Sequence, residues 1–271
     1  MSRIEEALEK AAKLRVDAGP TGSAAAAPVH KHHQPPPPSG TRLELKNQLL
    51  VTANDPHTQA AEEFRKLKSS IVRLTKEGSF KNMLMVTSAI GSEGKSVSAA
   101  NLALSLAQEF DHTVLLIDAD LRKPTLHRYL GVDNRRGLTD CLLDGVQLSD
   151  ALIHTGVGKL AFLPAGRGVS NPAEMFTSQR SKDFLQEMKK RYHDRYIIID
   201  TPPVLPFAET RSLSSLVDGI VLVAKEGLVT LQNIEEAVEC LKGTAMLGLV
   251  YNEAAPEFHP DRYQYCRDGA A

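Results

Sequence analysis

The sequence predicts an α/β fold in which helices flank both faces of a mostly parallel β-sheet. Short apolar segments have the composition of buried strands, at residues 82–87, 113–118, 160–163, 196–200, 219–224 and 246–251. Between several of them, large apolar residues recur at helical spacing, at residues 98–110, 181–193 and 230–242. Apolar strands that alternate with helices are typical of a parallel sheet buried on both sides. Because crossovers between parallel strands are right-handed, we expect the carboxyl ends of the strands to share one edge of the sheet.

The composition is that of an ordinary globular protein and argues against several classes. The chain has 271 residues, of which 42% are hydrophobic and 24% are charged. Its 32 basic and 33 acidic residues give a formal net charge of −1, which argues against a nucleic-acid-binding surface. Three widely separated cysteines without a CxxC pair argue against a disulfide framework or a zinc site. The sequence has no apolar run of about 20 residues and no secretory signal, so we expect a cytoplasmic protein.

The sequence divides into four segments of different character. Residues 1–16 predict an amphipathic helix, because an apolar stripe at helical spacing follows a capping box formed by Ser2 and Glu5. Residues 17–40 are rich in proline, alanine and histidine and predict a linker, because such a composition cannot form a core. Residues 41–252 contain the strand patterns and predict the folded domain. Residues 253–271 predict a flexible polar tail.

The segment at residues 89–96, AIGSEGKS, lies between the first predicted strand and a predicted helix. In this context the GKS sequence predicts a phosphate-binding loop, whose backbone amides and helix N-terminus face phosphate oxygens. We therefore predict a P-loop NTPase domain that binds ATP. Lys95 would reach the β- and γ-phosphates, and the hydroxyl of Ser96 would bind Mg²⁺. The predicted nucleotide-binding residues are Gly91, Ser92, Glu93, Gly94, Lys95, Ser96 and Val97.

Acidic residues lie at the ends of two predicted strands. Asp118 ends the segment TVLLID and is followed by Asp120, and Asp200 ends the segment YIIID. Asp118 and Asp120 are two residues apart, so they would face the same side of an extended chain. Neighbouring carboxylates repel one another unless a cation or water neutralises them. At the edge that carries the phosphate loop, the three carboxylates predict an Mg²⁺ site.

Three motifs, at residues 89–96, 115–122 and 197–203, occur in an order that resembles the bacterial tyrosine kinases. Members of that family act in capsule and exopolysaccharide production and are unrelated to eukaryotic protein kinases. The resemblance covers about residues 58–252, and the N-terminal opening is similar to that of stand-alone autokinases of exosortase-associated polysaccharide loci. It implies a P-loop fold of the partition-ATPase-like subclass. It also implies transfer of the ATP γ-phosphoryl group to tyrosines of a neighbouring subunit's tail, which regulates polysaccharide polymerisation and export.

The resemblance implies roles for individual residues. Lys95 would clamp the phosphates of ATP. The ligands of Mg²⁺ would be Ser96, Asp118 and Asp200. Asp118, aided by Asp120, would accept the proton of the attacking tyrosine hydroxyl. The expected catalytic residues are thus Lys95, Asp118 and Asp120, whereas Arg122 matches the family motif without an assigned step.

One helical segment resembles a motif for contacts between subunits. Residues 61–71 are similar to the family's E-x-x-R-x-x-R-T-N oligomerisation motif, in which Glu62 and Arg65 match. Lys68 and Ser70 replace an arginine and an asparagine, and lysine cannot make the bidentate carboxylate contact of arginine. The resemblance implies a homo-oligomer, in the form of a ring. The alternative is a charged helix face with ordinary i,i+3 pairing.

The resemblance also implies acceptors and a partner. Family members carry a tyrosine cluster at the C-terminus that is phosphorylated between neighbouring subunits, and in this sequence Tyr263 and Tyr265 lie in the tail. Members need a membrane-spanning activator of the chain-length-determinant type. Because the sequence contains no such span, a separate activator is implied, which would recruit the protein to the inner face of the cell membrane.

Two other interpretations remain open. A partition or division-site positioning ATPase shares the fold and the motifs, but it usually has a KGGxGK[ST] loop whose first lysine reaches across a dimer. In this sequence Ile90 holds that place, and the tail is not basic enough for DNA or membrane. The second alternative is a nucleotide-dependent scaffold that phosphorylates nothing. We expect no nucleic-acid partner.

Overall fold

The computed structural model describes residues 43–76, 79–109, 113–192 and 194–255. The predicted N-terminal helix, the linker and both tail tyrosines lie outside the described residues. None of the helices among these residues combines the length and the apolar composition that a membrane-spanning helix needs. All three predicted functional motifs lie inside the described ranges.

The described residues form a sheet with the strand order β3-β4-β2-β5-β1-β6-β7. Every pair of neighbouring strands is parallel except β3 with β4. The strands are β1 (Met83–Ser88), β2 (Val114–Asp118), β3 (Ile153–His154), β4 (Leu160–Leu163), β5 (Tyr196–Asp200), β6 (Gly219–Lys225) and β7 (Met246–Asn252). The central strands β1, β2 and β5 are buried along their whole length. The predicted α/β class with a mostly parallel sheet is therefore confirmed.

Helices cover both faces of the sheet. They are α1 (Val51–Asn54), α2 (Gln59–Lys76), α3 (Lys95–Ala107), α4 (Leu126–Leu130), α5 (Leu138–Asp144), α6 (Leu148–Ala151), α7 (Pro172–Thr177), α8 (Gln179–Arg191), α9 (Ala208–Ser214) and α10 (Leu231–Cys240). One face packs against α3, which is almost entirely buried, and against α2. The opposite face packs against α8, α9 and α10. The sheet therefore separates two apolar clusters.

The observed strand ends agree with the predicted segments to within one residue. Helix α3 begins at Lys95 rather than at Ser98, because Gly94 adopts a left-handed conformation (φ 88°) that ends the preceding loop. Strand β3 was not predicted, because its two residues, Ile153 and His154, are too few to show a periodic pattern. Short antiparallel additions of this kind depend on the neighbouring strand, here β4.

Strand pairing brings the three motifs together. Strands β2 and β5 are neighbours, and their register pairs Asp118 with Asp200. Strand β1 lies on the other side of β5, with Val86 paired with Asp200, and the phosphate loop follows β1. The carboxyl ends of β1, β2 and β5 therefore meet at one edge, as the parallel topology requires.

Candidate active site

The phosphate loop, residues 89–94, connects β1 with α3. Its backbone adopts left-handed conformations at Ser92 (φ 69°) and Gly94 (φ 88°). A side chain at Gly94 would be strained, and its Cβ would lie only 2.0 Å from Nδ2 of Asn252. The same Nδ2 donates a hydrogen bond of 2.9 Å to the carbonyl oxygen of Glu93. Asn252, whose position after the last predicted strand suggests a contact with the adenine, therefore holds the loop against the end of β7; the contact with adenine stays a prediction.

The Glu93 side chain is buried and binds the backbone of the phosphate loop. Its Oε2 accepts a hydrogen bond of 3.2 Å from the amide of Ile90, and Oε1 has no hydrogen-bond partner among the described residues. Burial is the main cause that raises the pKa of Glu93. The Glu93 side chain therefore shapes the loop, and its contact with nucleotide stays a prediction. The other predicted nucleotide-binding residues form the rest of the loop and the first turn of α3: Gly91, Ser92, Gly94, Lys95, Ser96 and Val97.

Lys95 begins α3, and its side chain is only 11% exposed. Its Nζ lies 2.6 Å from Oδ2 of Asp120 and 3.6 Å from Oδ1 of Asp200. It also donates a hydrogen bond of 3.1 Å to Oγ of Ser96. Burial opposes the charged form of this amine, but the neighbouring carboxylates, Asp200 above all, outweigh burial and raise the pKa of Lys95. Lys95 is therefore a fixed cation among the acidic residues.

Asp118 and Asp120 have different partners, although they are two residues apart. Strand β2 ends at Asp118, whose Oδ1 accepts a hydrogen bond of 3.2 Å from the amide of Asp120. The Oδ2 of Asp118 accepts hydrogen bonds of 3.2 and 3.1 Å from the amides of Thr125 and Leu126. The carboxylate of Asp120 instead binds Nζ of Lys95. Asp120 therefore holds the lysine, whereas Asp118 is itself held by the loop that follows it.

Asp200 is completely buried, and neither carboxylate oxygen has a hydrogen-bond partner among the described residues. Burial raises the pKa of Asp200 to about 6, although the charge of Lys95 opposes this shift. The pKa of the paired Asp118 is raised well above its usual range, first by burial and second by the charge of Asp200. Two adjacent buried carboxylates are unfavourable unless cations neutralise them, and the pKa values of both stay raised although Lys95 lies nearby. The arrangement therefore favours cation binding at the ends of β2 and β5.

The residues at this edge fit Mg²⁺. Mg²⁺ prefers oxygen ligands and usually takes one or two carboxylates together with substrate phosphates and water. The oxygens of Ser96, Asp118 and Asp200 are of this kind, and those of Asp200 accept no hydrogen bond from the described residues, although Nζ of Lys95 lies 3.6 Å from Oδ1. In the part of the chain that the structure describes, no three His, Cys, Asp or Glu side chains are grouped so as to hold a metal by themselves. Nucleotide phosphates would therefore complete the metal site.

Arg122 has partners that sequence analysis did not identify. Its Nε donates a hydrogen bond of 2.5 Å to Oε1 of Glu209, and Nη2 donates one of 3.4 Å to Oε2. The guanidinium carbon lies 4.5 Å from the centre of the Phe207 ring. The hydrogen bond to Glu209 raises the pKa of Arg122. No local pattern could signal this contact, because 87 residues separate the partners.

The predicted oligomerisation residues lie in α2. Nη2 of Arg65 is 2.5 Å from Oε2 of Glu62, and Nη1 donates a hydrogen bond of 2.7 Å to the carbonyl oxygen of Pro56. Lys68 is bound to Glu109 of the same chain at 2.7 Å. The structure thus shows the i,i+3 pairing on this helix. Oligomerisation through Glu62 and Arg65 stays a prediction.

Replacing Asp200 with asparagine is expected to stabilise the metal-free protein at pH 7. The pKa of Asp200 is about 6 in the folded protein against 3.8 for an ordinary aspartate. The folded state therefore binds this proton more tightly, and the contribution of Asp200 to wild-type stability falls as the pH rises from about 4 to about 6. Asparagine carries no charge, so the free energy of unfolding should exceed that of wild type by up to about 3 kcal/mol at pH 7.

Urea unfolding in EDTA measures this difference. The two proteins should be about equally stable near pH 4 and should diverge toward pH 7. A difference that is constant over this range would contradict the prediction. Asp133→Asn is the control, because the Asp133 side chain is 75% exposed and should leave the pH profile unchanged.

Comparisons with known sequences agree with one another. Residues 81–245 match the family model described as an AAA domain. The chain is similar to the tyrosine-protein kinase YwqD of Bacillus subtilis (strain 168), with 35% identity over 215 residues, which are 79% of this chain and 88% of the relative. It is also similar to the putative tyrosine-protein kinase CapB of Staphylococcus aureus, with 30% identity over 218 residues, which are 80% of this chain and 94% of the relative.

Solved structures extend the comparison. The structure of the kinase domain of the Escherichia coli tyrosine kinase ETK is similar to this chain, with a TM-score of 0.70 and 30% identity. The match includes 79% of this chain and 85% of the solved chain. The full-length tyrosine-protein kinase etk of Escherichia coli (strain K12) is covered over only 29% of its length. The septum site-determining protein MinD complexed with Mg-ADP, from Pyrococcus horikoshii OT3, is more distant, with a TM-score of 0.53, 26% identity and 63% of this chain covered.

Proposed function

The chain belongs to the bacterial tyrosine-protein kinases, and from that premise we propose that it transfers the γ-phosphoryl group of ATP to tyrosines in the tail of a neighbouring subunit. The observation that carries the proposal is the meeting of Lys95, Asp118 and Asp200 at one edge of the sheet. Relatives named as tyrosine kinases share this domain over 88% and 94% of their own length. Through this phosphorylation, the protein would regulate exopolysaccharide or capsule polymerisation and export.

The phosphate loop and Lys95 would bind the phosphates of ATP. Backbone amides of the loop and of the first turn of α3 are donors of the kind that bind phosphate oxygens. The raised pKa of Lys95 keeps its amine charged, so it offsets the negative charge of the phosphates. Ser96, Asp118 and Asp200 would hold Mg²⁺, which would neutralise charge on the transferred phosphoryl group.

In the transfer step, the tyrosine oxygen bonds to the γ-phosphorus while the bond from that phosphorus to the β,γ-bridging oxygen breaks, and ADP leaves. The hydroxyl proton passes to a carboxylate oxygen of Asp118. We assign this role to Asp118 rather than to Asp120 because Oδ2 of Asp120 lies 2.6 Å from Nζ of Lys95, and an ion-paired carboxylate is a weaker base. Asp120 aids by positioning Lys95.

The proposed acceptors are Tyr263 and Tyr265, which follow β7 in the chain. Replacing both with phenylalanine is expected to remove most of the phosphotyrosine, because phenylalanine has no hydroxyl, while nucleotide binding stays unchanged. Mass spectrometry of tail peptides and immunoblotting measure the label. Tyr251→Phe is the matched control, since Tyr251 lies in β7 and is 55% exposed. Label that persists in the double variant and disappears when Tyr251→Phe is added would instead make Tyr251 the acceptor.

The active form is proposed to be a homo-oligomer, arranged as a ring, with Glu62 and Arg65 at the contact between subunits. Both side chains are partly exposed, at 34% and 42%, and so are accessible to a second copy. A separate membrane-spanning protein of the chain-length-determinant type would activate the kinase. It would recruit this protein from the cytoplasm to the inner face of the membrane.

One assay separates the proposed function from its alternatives. Purified protein is incubated with ATP and Mg²⁺, with and without the activator, and phosphotyrosine and phosphate release are both measured. Phosphotyrosine formation supports the kinase. Hydrolysis without phosphotyrosine, stimulated by DNA or lipid, would favour a partition-type ATPase. Nucleotide binding without transfer or hydrolysis would favour a scaffold.

Transfer between subunits is tested by mixing two variants. Lys95→Ala keeps the tail tyrosines but lacks the phosphate-binding amine, whereas the variant with phenylalanine at positions 263 and 265 keeps the site but lacks the acceptors. Label on the Lys95→Ala chain in the mixture can come only from the other chain. An unlabelled mixture would restrict transfer to one chain.

A further inference from the structure

Arg122 and Glu209 form an ion pair beside the acidic edge. The Glu209 side chain is 1% exposed, and both of its oxygens accept hydrogen bonds from the Arg122 guanidinium. The Arg122 side chain is 40% exposed, and its guanidinium lies against the ring of Phe207. A buried carboxylate is unfavourable unless it is paired, so Glu209 fixes Arg122 in one place.

The pair joins the two segments that follow the metal-binding strands. Arg122 lies in the β2–α4 loop (residues 119–125), which follows Asp118. Glu209 lies in the first turn of α9, after the segment that follows Asp200. The two segments are also joined at their start, where the amide of Ala119 donates a hydrogen bond of 2.8 Å to the carbonyl oxygen of Asp200.

The β2–α4 loop in turn holds the carboxylate of Asp118. The loop leaves Asp118 and returns to it, because the amides of Thr125 and Leu126 donate to Oδ2. Asp120 attaches the start of this loop to Lys95. Arg122 attaches the loop to Glu209 at a point closer to Thr125 and Leu126. Without the second attachment, the part of the loop that carries the two amides would be less restrained, and the Asp118 carboxylate could rotate away from its position.

We propose that Arg122 and Glu209 are a positioning pair that fixes the β2–α4 loop and thereby orients the Asp118 carboxylate toward nucleotide-bound Mg²⁺. The inference rests on the proposed function, because it assigns the pair to that same metal–nucleotide site. Neither residue touches the reacting atoms. Both act through Asp118, so their loss affects the use of Mg²⁺ more than the binding of the nucleotide itself.

The test measures binding of the fluorescent nucleotide N-methylanthraniloyl-ADP in EDTA and in a Mg²⁺ titration. The variants are Arg122→Gln, Glu209→Gln and the double variant. Each single substitution is expected to raise the Mg²⁺ concentration for half-maximal enhancement of binding by about tenfold, as loss of an outer-shell partner does at other metal sites. Binding in EDTA should stay within about twofold of wild type, because the phosphate loop is untouched. The double variant should be no worse than the more affected single variant, because both changes remove one interaction.

Three results would contradict the positioning role of the pair. The Mg²⁺ midpoint could match wild type in both single variants, it could shift in only one of them, or the two shifts could add in the double variant. Arg135→Gln is the matched control, since the Arg135 side chain is 87% exposed and pairs only at the surface with Asp133. If Arg122→Gln does not fold, Arg122→Lys replaces it. Lysine keeps the charge but cannot form both hydrogen bonds, so it should give a shift between wild type and Glu209→Gln.

The result can be separated from that of the kinase assay. A wild-type protein that binds Mg²⁺ and nucleotide without forming phosphotyrosine would refute the proposed function. The Mg²⁺ midpoints of the variants would still test the positioning role of Arg122 and Glu209. A wild-type protein whose nucleotide binding does not respond to Mg²⁺ would refute the positioning role of the pair, because Asp118 would then hold no metal that affects nucleotide binding. Phosphotyrosine formation by the wild type, together with unchanged Mg²⁺ midpoints in the variants, would support the proposed function and refute the positioning role of the pair.

Discussion

Autophosphorylation is expected to fall by about a thousandfold or more when Lys95 is replaced by alanine, because one preorganised charged donor contributes at least that order to phosphoryl transfer. Nζ of Lys95 is buried, and its position is fixed by Asp120 at 2.6 Å. Solvent therefore cannot replace it as it could replace an exposed lysine. The raised pKa of Lys95 keeps the amine charged over the whole range in which the protein would be assayed. The initial rate of phosphotyrosine formation at saturating ATP measures the effect.

The control for Lys95→Ala is Lys190→Ala, which removes an exposed lysine from α8. Lys95→Met serves as a second variant, because methionine keeps most of the side-chain volume and leaves fewer voids near the buried acids. Circular dichroism would establish that both proteins fold. Phosphotyrosine formation within about tenfold of wild type in a folded Lys95→Met protein would contradict the role of the amine, since a loss that small falls short of one donor's contribution.

Asp118→Asn is expected to reduce autophosphorylation by about 10²–10⁴-fold, because general-base catalysis alone contributes that range. The substitution removes the proposed proton acceptor and one charge from the metal site. It also places an amide group where both carboxylate oxygens accept hydrogen bonds from backbone amides, those of Asp120, Thr125 and Leu126. An asparagine nitrogen cannot accept a hydrogen bond, so at least one of these contacts is lost.

Asp120→Asn provides the sharpest comparison. Asp120 holds Lys95, so its neutral variant should weaken nucleotide binding while Asp118 continues to accept the proton. The loss at saturating ATP should therefore be smaller for Asp120→Asn than for Asp118→Asn. The reverse order would move the proton acceptor to Asp120. The exposed substitution Asp133→Asn should leave the rate unchanged.

The sheet could be predicted because its central strands carry their own signal. Each is a short buried segment rich in apolar residues, and in β2 and β5 the acidic residue that ends the strand, Asp118 or Asp200, marks the carboxyl edge. Parallel topology then brings those two residues together without any further information. Strand β3 could not be predicted, because two residues beside an existing strand gain their structure from pairing rather than from composition.

The site was predicted where chemistry is local and missed where it depends on distant segments. The phosphate loop follows from the order of glycine, lysine and serine within eight residues. Asn252 is 159 residues from Glu93, and Glu209 is 87 residues from Arg122. Neither pair has a sequence signal, because an asparagine at a strand end and a glutamate in a first helical turn are common. The preference of Asp120 for Lys95 likewise depends on how β1 and β2 are placed around β5.

The contact between Asn252 and the phosphate loop places the origin of the tail beside the nucleotide site. Tyr263 follows Asn252 by 11 residues, so a fully extended chain of that length spans at most about 40 Å. In an assembled oligomer, a tyrosine on such a tether would be present at an effective concentration of about millimolar order at the adjacent nucleotide site. Labelling per chain would then cease to depend on how much the protein is diluted, for as long as the subunits stay together.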